Sequence, residues 1–192
     1  MYNTAGSSPT LIGCTFVQNT ATGGAAIGNH AASPTLIDCM FLGNSTRSGG
    51  GAISSESSST LNLTNCLFIG NSASYGGAIY SVSSTLYLNN SILWNNSAND
   101  YPEVYVDANS ALHAAYSDIQ GGYAGTGNIN ADPMFYRNPS PGTDGVWGTA
   151  DDDYGDLRLL PNSPCIDAGS NNVVLYGVTT DIAGNPRIVD FP

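Results

Sequence analysis

Apolar residues in roughly the first 130 positions form short runs separated by Gly, Ser and Asn, and the runs recur at a fixed interval. The clearest copy is TLNLTNCLFIGNSASYGGAIY, residues 60–80. Its landmarks Cys66, Phe68, Asn71 and Ile79 recur at steps of 25 to 27 residues. The four ladders are Cys14, Cys39, Cys66, Ser91 and Ser117; Phe16, Phe41, Phe68, Leu93 and Ile119; Asn19, Asn44, Asn71, Asn96 and Gly122; and Met1, Ile27, Ile53, Ile79, Val104 and Ile129. A repeat of this length indicates a solenoid.

The repeats predict β-strands rather than helices. No window of the repeats shows apolar residues at helical spacing over three turns, and β-prone segments such as residues 61–63 and 86–88 are bounded by Gly, Ser and Asn. We predict an all-β parallel β-helix of about five coils, with three short strands per coil and coils stacked about 4.8 Å apart. The regular coils would occupy residues 1–135, and residues 136–192 would form an acidic loop and an irregular tail packed on the same domain.

Alternation along the strands places Leu63, Cys66 and Phe68 in the lumen. The ladder predicted through Leu63 is Ile12, Ile37, Leu63 and Leu88. The Asn ladder is predicted to sit in a tight turn, where Asn tolerates the left-handed conformation and bonds neighbouring backbone. The Cys ladder is interpreted as buried thiols, since free Cys is among the most buried residue types. Stacked coils would also bring two of these Cys residues within disulfide range.

The outward positions beside the Phe ladder are apolar as well. Four successive coils contribute Val17, Leu42, Ile69 and Trp94. Such a stripe is larger than the apolar patch that a soluble monomer usually exposes, so something should cover it. The candidates are the chain's own tail beyond Asp132, a twin subunit and a further domain. We favour the tail, because it has no repeat signal; a solvent-exposed Trp94 would contradict this.

The chain begins in the middle of a coil, because Met1, Tyr2 and Asn3 align with residues 27–29. On this alignment we expect neither a signal peptide nor a capping element before the first strand of the sequence. Two interpretations are open: a fragment of a longer array, which we favour, or an end covered by another molecule. An uncapped coil predicts self-association through the N-terminal coil.

Several motifs resemble known families. GGAI (residues 76–79), FIGN (68–71) and FLGN (41–44) resemble the polymorphic outer membrane protein repeat of bacterial surface proteins. Residues 90–96, 117–135, 157–169 and 181–187 resemble the carboxy-terminal region of choice-of-anchor Q domain proteins, which belong to the pectin-lyase-like right-handed β-helices. The resemblance implies a right-handed β-helix in an exported bacterial protein, extracellular or at the cell surface. It implies no single activity, because this fold supports many functions.

Charge narrows the range of partners. The net charge is −11, the chain contains no Lys, and all but two of its fifteen acidic residues lie from Asp100 onward. Such a balance argues against nucleic acid and anionic membrane surfaces as partners. No apolar run reaches the ~18 residues needed to cross a membrane, so membrane insertion is not predicted.

An acidic loop occupies residues 141–156. Its carboxylates are Asp144, Asp151, Asp152, Asp153 and Asp156, interspersed with glycines. Hard cations such as Ca²⁺ take six to eight oxygen ligands, and adjacent aspartates would repel one another without a counterion. We therefore predict a structural Ca²⁺ site here, with a solvated acidic loop as the alternative.

Catalytic groupings are less well indicated. Pectate lyases of this fold need Arg or Lys beside carboxylate-held Ca²⁺, and no Arg here stacks beside acids on neighbouring coils. A hydrolase pair of carboxylates would have to lie within residues 151–156. His30 and His113 align to different parts of the coil, so neither a triad nor a zinc site is predicted. Tyr80 and Tyr105 align on successive coils and could stack on sugar rings.

The sequence therefore favours a non-catalytic structural or adhesive module of an exported bacterial surface protein, with a tail stabilised by Ca²⁺. One alternative is a β-helix that binds or degrades polysaccharide as a lyase or hydrolase. Another is a self-assembling subunit that stacks through uncapped coil ends. The sequence does not identify the ligand.

Overall fold

A computed structural model describes residues 1–147, 149–174, 177–181 and 184–186 and shows a β-solenoid of about five coils. Four sheets run along the coils, each built from parallel strands of successive coils. The predicted fold is thus confirmed, but each complete coil has four strands and not three. The additional strand is only two to four residues long and consists largely of small polar residues, so the hydrophobic pattern does not reveal it.

The strands are numbered along the chain. Sheet A contains β1 (Tyr2–Asn3), β5 (Ile27–His30), β9 (Ile53–Glu56), β13 (Ile79–Val82) and β17 (Val104–Val106). Sheet B contains β2 (Thr10–Ile12), β6 (Thr35–Ile37), β10 (Thr60–Thr64), β14 (Thr85–Asn89) and β18 (Ala111–Ala115). Sheet C contains β3 (Thr15–Val17), β7 (Met40–Leu42), β11 (Leu67–Ile69), β15 (Ile92–Trp94) and β19 (Asp118–Ile119). Sheet D contains β4 (Thr20–Ala21), β8 (Ser45–Thr46), β12 (Ser72–Tyr75) and β16 (Ser97–Asp100).

The core fills the lumen with like residues stacked on like. Phe16, Phe41 and Phe68 form a continuous stack with ring centroids 4.9 and 4.6 Å apart and nearly parallel planes. Leu63, Cys66 and Phe68 are buried, as the alternation predicts. Cys39 and Cys66 are buried free thiols, while Cys14, in the first coil, is half-buried. Parallel stacking in register is therefore what the repeat encodes.

One predicted ladder is shifted by a residue. Leu63 pairs with Leu36, and Leu36 pairs with Leu11, so Ile37 and Ile12 belong to the neighbouring, outward column with Thr64. The inward ladder continues through Leu88 to Ala114. The cause is the adjacent apolar pair in the TLI segments, where either residue satisfies a hydrophobic pattern. Counting back three residues from each Cys gives the correct register.

The turn before the Asn ladder also differs from the prediction. The left-handed conformation belongs to the residue that precedes each ladder Asn: Gln18, Gly43, Gly70 and Asn95, with φ of 52°, 61°, 65° and 57°. The ladder asparagines themselves are not left-handed and point into the solenoid, where Asn44 and Asn71 are fully buried. Their role comes from side-chain hydrogen bonds rather than from backbone tolerance.

The tail folds back along the outside of the solenoid. β20 (Phe135–Arg137) pairs antiparallel with β21 (Asp156–Leu159), and a single 3-10 turn follows at Asn171–Val173. Residues 177–181 line a surface depression together with Ile12 and Asp38, at the first two coils. The predicted terminal turn at 181–187 is described only in part, because residues 182–183 and 187–192 lie outside the described residues.

Candidate functional site

The outer face of sheet A carries a column of residues in strict register. Its members are Tyr2, Gly28, Ser54, Tyr80 and Tyr105. Tyr80 and Tyr105 stack with ring centroids 5.0 Å apart and planes 12° from parallel. The structure therefore brings together the two tyrosines that the sequence singled out as ligand-stacking candidates.

Two further tyrosines join this pair from the edge of sheet D. Tyr75 and Tyr101 pack edge-on against Tyr105, with ring centroids 5.9 and 5.2 Å away. Both are well exposed, Tyr75 at 46% and Tyr101 at 59%. Four tyrosines thus form an aromatic patch at one end of the sheet A face. The sequence did not reveal the additional pair, because neither residue shares a repeat column with Tyr80.

A second outward column lies beside the first one. His30 is directly opposite Glu56, which is opposite Val82. The Ser54 hydroxyl donates to Glu56 Oε1 at 3.0 Å. His30 and Glu56 are one repeat length apart, like Ile27 and Ile53, so the signal for their pairing was present in the sequence.

Two carboxylates of the acidic loop accept hydrogen bonds from neighbouring residues of the same loop. Asp151 Oδ2 accepts from the Thr143 backbone at 2.7 Å and from its hydroxyl at 2.8 Å, and Asp151 Oδ1 accepts from the Thr149 hydroxyl at 2.8 Å. These hydrogen bonds hold the pKa of Asp151 well below its usual range. Asp144 accepts from the backbone N–H of Val146 at 2.8 Å.

The remaining loop carboxylates have other neighbours. Asp153 forms an ion pair with Arg137. The Arg158 guanidinium lowers the pKa of Asp156 to about 2. Asp152 accepts from the Tyr154 hydroxyl at 3.0 Å. Within the described residues no three His, Cys, Asp or Glu side chains are grouped to hold a metal ion. A Ca²⁺ ion at this loop would require the aspartates to exchange their partners, so the arrangement is not a preformed cage.

The acidic loop also acts as a strap across the turns of the solenoid. Gln18 Nε2 donates to the Thr149 carbonyl at 2.8 Å and to Asp152 Oδ2 at 3.3 Å. Tyr154 and Trp147 lie so close to the next two turns that a Cβ on Gly43 or Gly70 would be 2.6 Å from their side chains. The loop therefore runs over Gln18, Gly43 and Gly70, the left-handed residues that precede the ladder asparagines, and so crosses the first three coils.

The outward apolar stripe lies beneath the tail over most of its length. Leu42 and Ile69 are buried and pack with Phe135, and half-buried Trp94 packs with them and with Leu157 and Leu159. Val17, in the first coil, is 39% exposed. The tail thus packs on the solenoid through the stripe, in agreement with the predicted fold.

Inside the solenoid the asparagines form a hydrogen-bonded ladder. The Nδ2 groups of Asn19, Asn44 and Asn71 each donate to Oδ1 of the next coil's Asn, at 2.8, 2.9 and 2.8 Å. Each of these acceptor oxygens also takes the backbone N–H of the preceding coil's Asn. The second amide hydrogen of Asn44, Asn71 and Asn96 goes to the carbonyl of the preceding coil's aromatic residue. All the amides point in one direction along the axis.

The ladder ends on a buried carboxyl group. Asn96 Nδ2 donates to Glu103 Oε2 at 2.5 Å, and Glu103 is only 6% exposed. Glu103 Oε1 is buried and has no hydrogen-bond partner among the described residues. Burial raises the pKa of Glu103 to about 7, and the hydrogen bonds from Asn96 offset part of that rise. The sequence signal was available, because Glu103 precedes landmark Val104 as Ala26, Ala52 and Ala78 precede theirs.

A second buried acid lies where the tail meets the last coil. The Cys165 thiol donates to Asp118 Oδ2 at 3.1 Å, and Asp118 Oδ1 accepts the backbone N–H of Ala131. Burial raises the pKa of both groups, that of Cys165 to about 12. The thiol is therefore protonated at neutral pH and serves as a hydrogen-bond donor rather than as a nucleophile.

These features define the chain as a β-helical repeat protein with packed inner ladders, an apolar outer stripe beneath the tail and tyrosines on the outer face of sheet A. Residues 38–56 and 65–82 match the Chlamydia polymorphic membrane protein repeat. The first match spans β7 to β9 and the second spans β11 to β13, which are equivalent strands of neighbouring coils. Comparison with curated proteins and with solved structures gives no match. In the part of the chain that the structure describes, no helix is both long and apolar enough to span a membrane.

Proposed function

We propose that the chain is a stiff structural and adhesive module of a bacterial surface protein. The observation that carries the proposal is the set of inner ladders, which run in register from coil to coil and fill the lumen. A closely packed interior resists deformation. Ligand contacts then belong to the outer faces, as in other solenoids that bind along an extended surface.

A place at the bacterial surface, exported from the cell, is the second part of the proposal. It is supported by the two stretches that are similar to the Chlamydia polymorphic membrane protein repeat. The wider resemblance to choice-of-anchor Q domain proteins and pectin-lyase-like helices stays an interpretation of the carboxy-terminal motifs. The net charge of −11 also favours solubility and disfavours binding to polyanionic partners.

Antibody labelling of the organism that makes the full-length protein tests this proposal. Antibodies raised against the purified chain should label intact cells, with an antibody against a cytoplasmic protein as the control that labels only permeabilised cells. Labelling that requires permeabilisation would place the chain inside the cell and overturn the proposal.

Binding of Ca²⁺ by the acidic loop is proposed as a stabilising element of the tail. It is supported by five carboxylates within the thirteen residues 144–156, for which the described structure provides Arg137 and Arg158 as ion-pair partners. The ion would bind only if the loop rearranged from the partners described above.

Recognition of carbohydrate is the second candidate function, because of the tyrosines on the sheet A face. Incubation with neutral and acidic polysaccharides separates binding from degradation. Release of reducing ends or of unsaturated products would select the enzymatic alternative, whereas binding without product release agrees with an adhesive module. Filaments of the purified chain in electron micrographs would instead support self-assembly through the coil ends.

A further inference from the structure

A groove lies on the outer face of sheet A, next to the aromatic patch. It has a volume of about 290 Å³, and its lining includes Tyr2, Gly28, Ser54 and Glu56. Along the column described above, Tyr2 is followed by Gly28, Ser54 and Tyr80. Gly28 and Ser54, in the two coils between these tyrosines, are both buried, and the Tyr2 ring lies over Gly28.

Glycines lie directly beneath the rings of Tyr2 and Tyr80. A Cβ on Gly28 would be 2.8 Å from the ring of Tyr2, and one on Gly49 would be 2.5 Å from the ring of Tyr80. Each ring therefore packs directly on the backbone of a glycine, where the side chain of any other residue would collide with the ring. Tyr2 remains 70% exposed and so has most of its surface available for a ligand.

Polar groups line the sides of the groove. On one side are His30 and Glu56, neighbours in the second outward column. The Ser54 hydroxyl holds Glu56 Oε1, while within the described residues Glu56 Oε2 has no hydrogen-bond partner. On the other side lie Thr22 and Ser48 with their hydroxyl groups. Hydrogen-bond donors and acceptors thus border a groove whose lining includes the aromatic ring of Tyr2.

We propose that this groove binds an uncharged glycan of pyranose rings. A pyranose has apolar C–H faces that pack on aromatic rings and a rim of hydroxyls that need hydrogen-bond partners, and the groove supplies both. No Lys or Arg lines the groove, Glu56 faces it, and the net charge is −11, so polyanionic chains would be repelled. This inference rests on the adhesive part of the proposed function and names its ligand class.

Calorimetric titration of the full chain with neutral hexasaccharides tests the site. The probes are cellohexaose, laminarihexaose and chitohexaose, with hexagalacturonate as the anionic comparison. At least one neutral probe should bind, and hexagalacturonate should bind more weakly. Tyr2→Ala should weaken the affinity roughly tenfold or more, because it removes the aromatic ring that lines the groove. Glu56→Gln should weaken it by a smaller factor, because it removes a charged acceptor while leaving the shape intact.

Tyr87→Ala is the matched control. Tyr87 is an outward tyrosine on sheet B, 40% exposed and stacked on His113. Its removal therefore tests whether any exposed tyrosine contributes to glycan binding. Affinity that is unchanged in Tyr87→Ala and reduced in Tyr2→Ala supports the groove. The proposal is wrong if no neutral probe binds, if hexagalacturonate binds best, or if both variants lose affinity equally. Any of these results leaves the intact-cell labelling unaffected, so failure of the groove is distinguishable from failure of the proposed function.

Discussion

Glu103 occupies a column that is otherwise alanine. Ala26, Ala52 and Ala78 precede the first inward residue of sheet A in three coils, and Glu103 takes the same place in the fourth. A carboxyl group here is costly to bury, but it supplies the acceptor that the Asn ladder otherwise lacks, because the fifth coil has Gly122 at the ladder position. Glu103 thus gives the Asn96 amide a hydrogen-bond acceptor, at the cost of a buried carboxyl group whose pKa is raised.

That exchange predicts a pH dependence of stability. The pKa of Glu103 is about 7 in the folded chain against an ordinary 4.5, so between these values the folded state binds more protons than the unfolded state. The free energy of unfolding should therefore fall as pH rises from about 4.5 to about 7, by at most about 3 kcal/mol. Urea denaturation across this range measures it.

Substitution isolates the group responsible. Glu103→Gln keeps an acceptor for Asn96 and cannot ionise, so it should flatten the decline in stability with pH. The exposed Glu56→Gln should leave the decline unchanged. An equal slope in wild type and Glu103→Gln would show that another group, such as buried Asp118, causes the dependence.

Asn71 provides a second test, at the centre of the ladder. Asn71→Ala removes its bonds to Asn44, Asn96 and the Phe41 carbonyl and leaves buried partners unpaired. We expect a loss of about 2–4 kcal/mol in the free energy of unfolding. Asn62→Ala, on the outer side of sheet B, should cost under about 0.5 kcal/mol. Similar costs for both variants would contradict a special role for the ladder.

At the level of elements, the strap formed by the acidic loop depends on small residues beneath it. Gly70 has φ of 65°, and a Cβ there would meet the Trp147 ring at 2.6 Å. Gly13 has φ of 62° with nothing within 4 Å of an added Cβ. The two positions thus carry similar backbone strain and differ in the contact with the loop.

Comparing Gly70→Ala with Gly13→Ala therefore separates contact from strain. Both should lose stability through the left-handed backbone. Only Gly70→Ala should also release the loop, seen as faster amide hydrogen exchange in residues 141–156. Equal exchange in both variants would mean that Trp147 does not fasten the loop.

The elements also show what the sequence could and could not predict. Phe68 and Asn71 recur at one place in each coil and are chemically distinctive, so their ladders and the solenoid follow from pattern alone. Sheet D has no comparable marker. Tyr80 and Tyr105 could be paired because they share a column, whereas the contribution of Tyr2 depends on a ring leaning over Gly28, a contact that no periodicity encodes. The partners of Asp151 likewise depend on the path of an irregular loop.

For the molecule as a whole, the concentration of acidic residues in the loop leads us to predict an effect of Ca²⁺ on thermal stability. If the ion binds the folded acidic loop, added Ca²⁺ should raise the melting temperature relative to chelator by mass action. Asp151→Asn with Asp153→Asn should abolish the shift, and Asp100→Asn, outside the loop, should preserve it. A melting temperature that is insensitive to Ca²⁺ would leave the loop held by its own hydrogen bonds.

The backward path of the tail has a consequence for how the protein can change length. Most solenoids gain or lose a repeat freely, because each unit touches only its neighbours. Here the tail contacts the fourth coil, where the Asn90 side chain exchanges two hydrogen bonds with the Ser170 backbone, and the first coil, where Gln18 bonds Thr149. One added coil would move these anchor points about 4.8 Å further apart. The length of the tail therefore limits the number of coils that it can span. We expect duplication of a repeat to be tolerated only with a matching extension of the segment between residues 149 and 170.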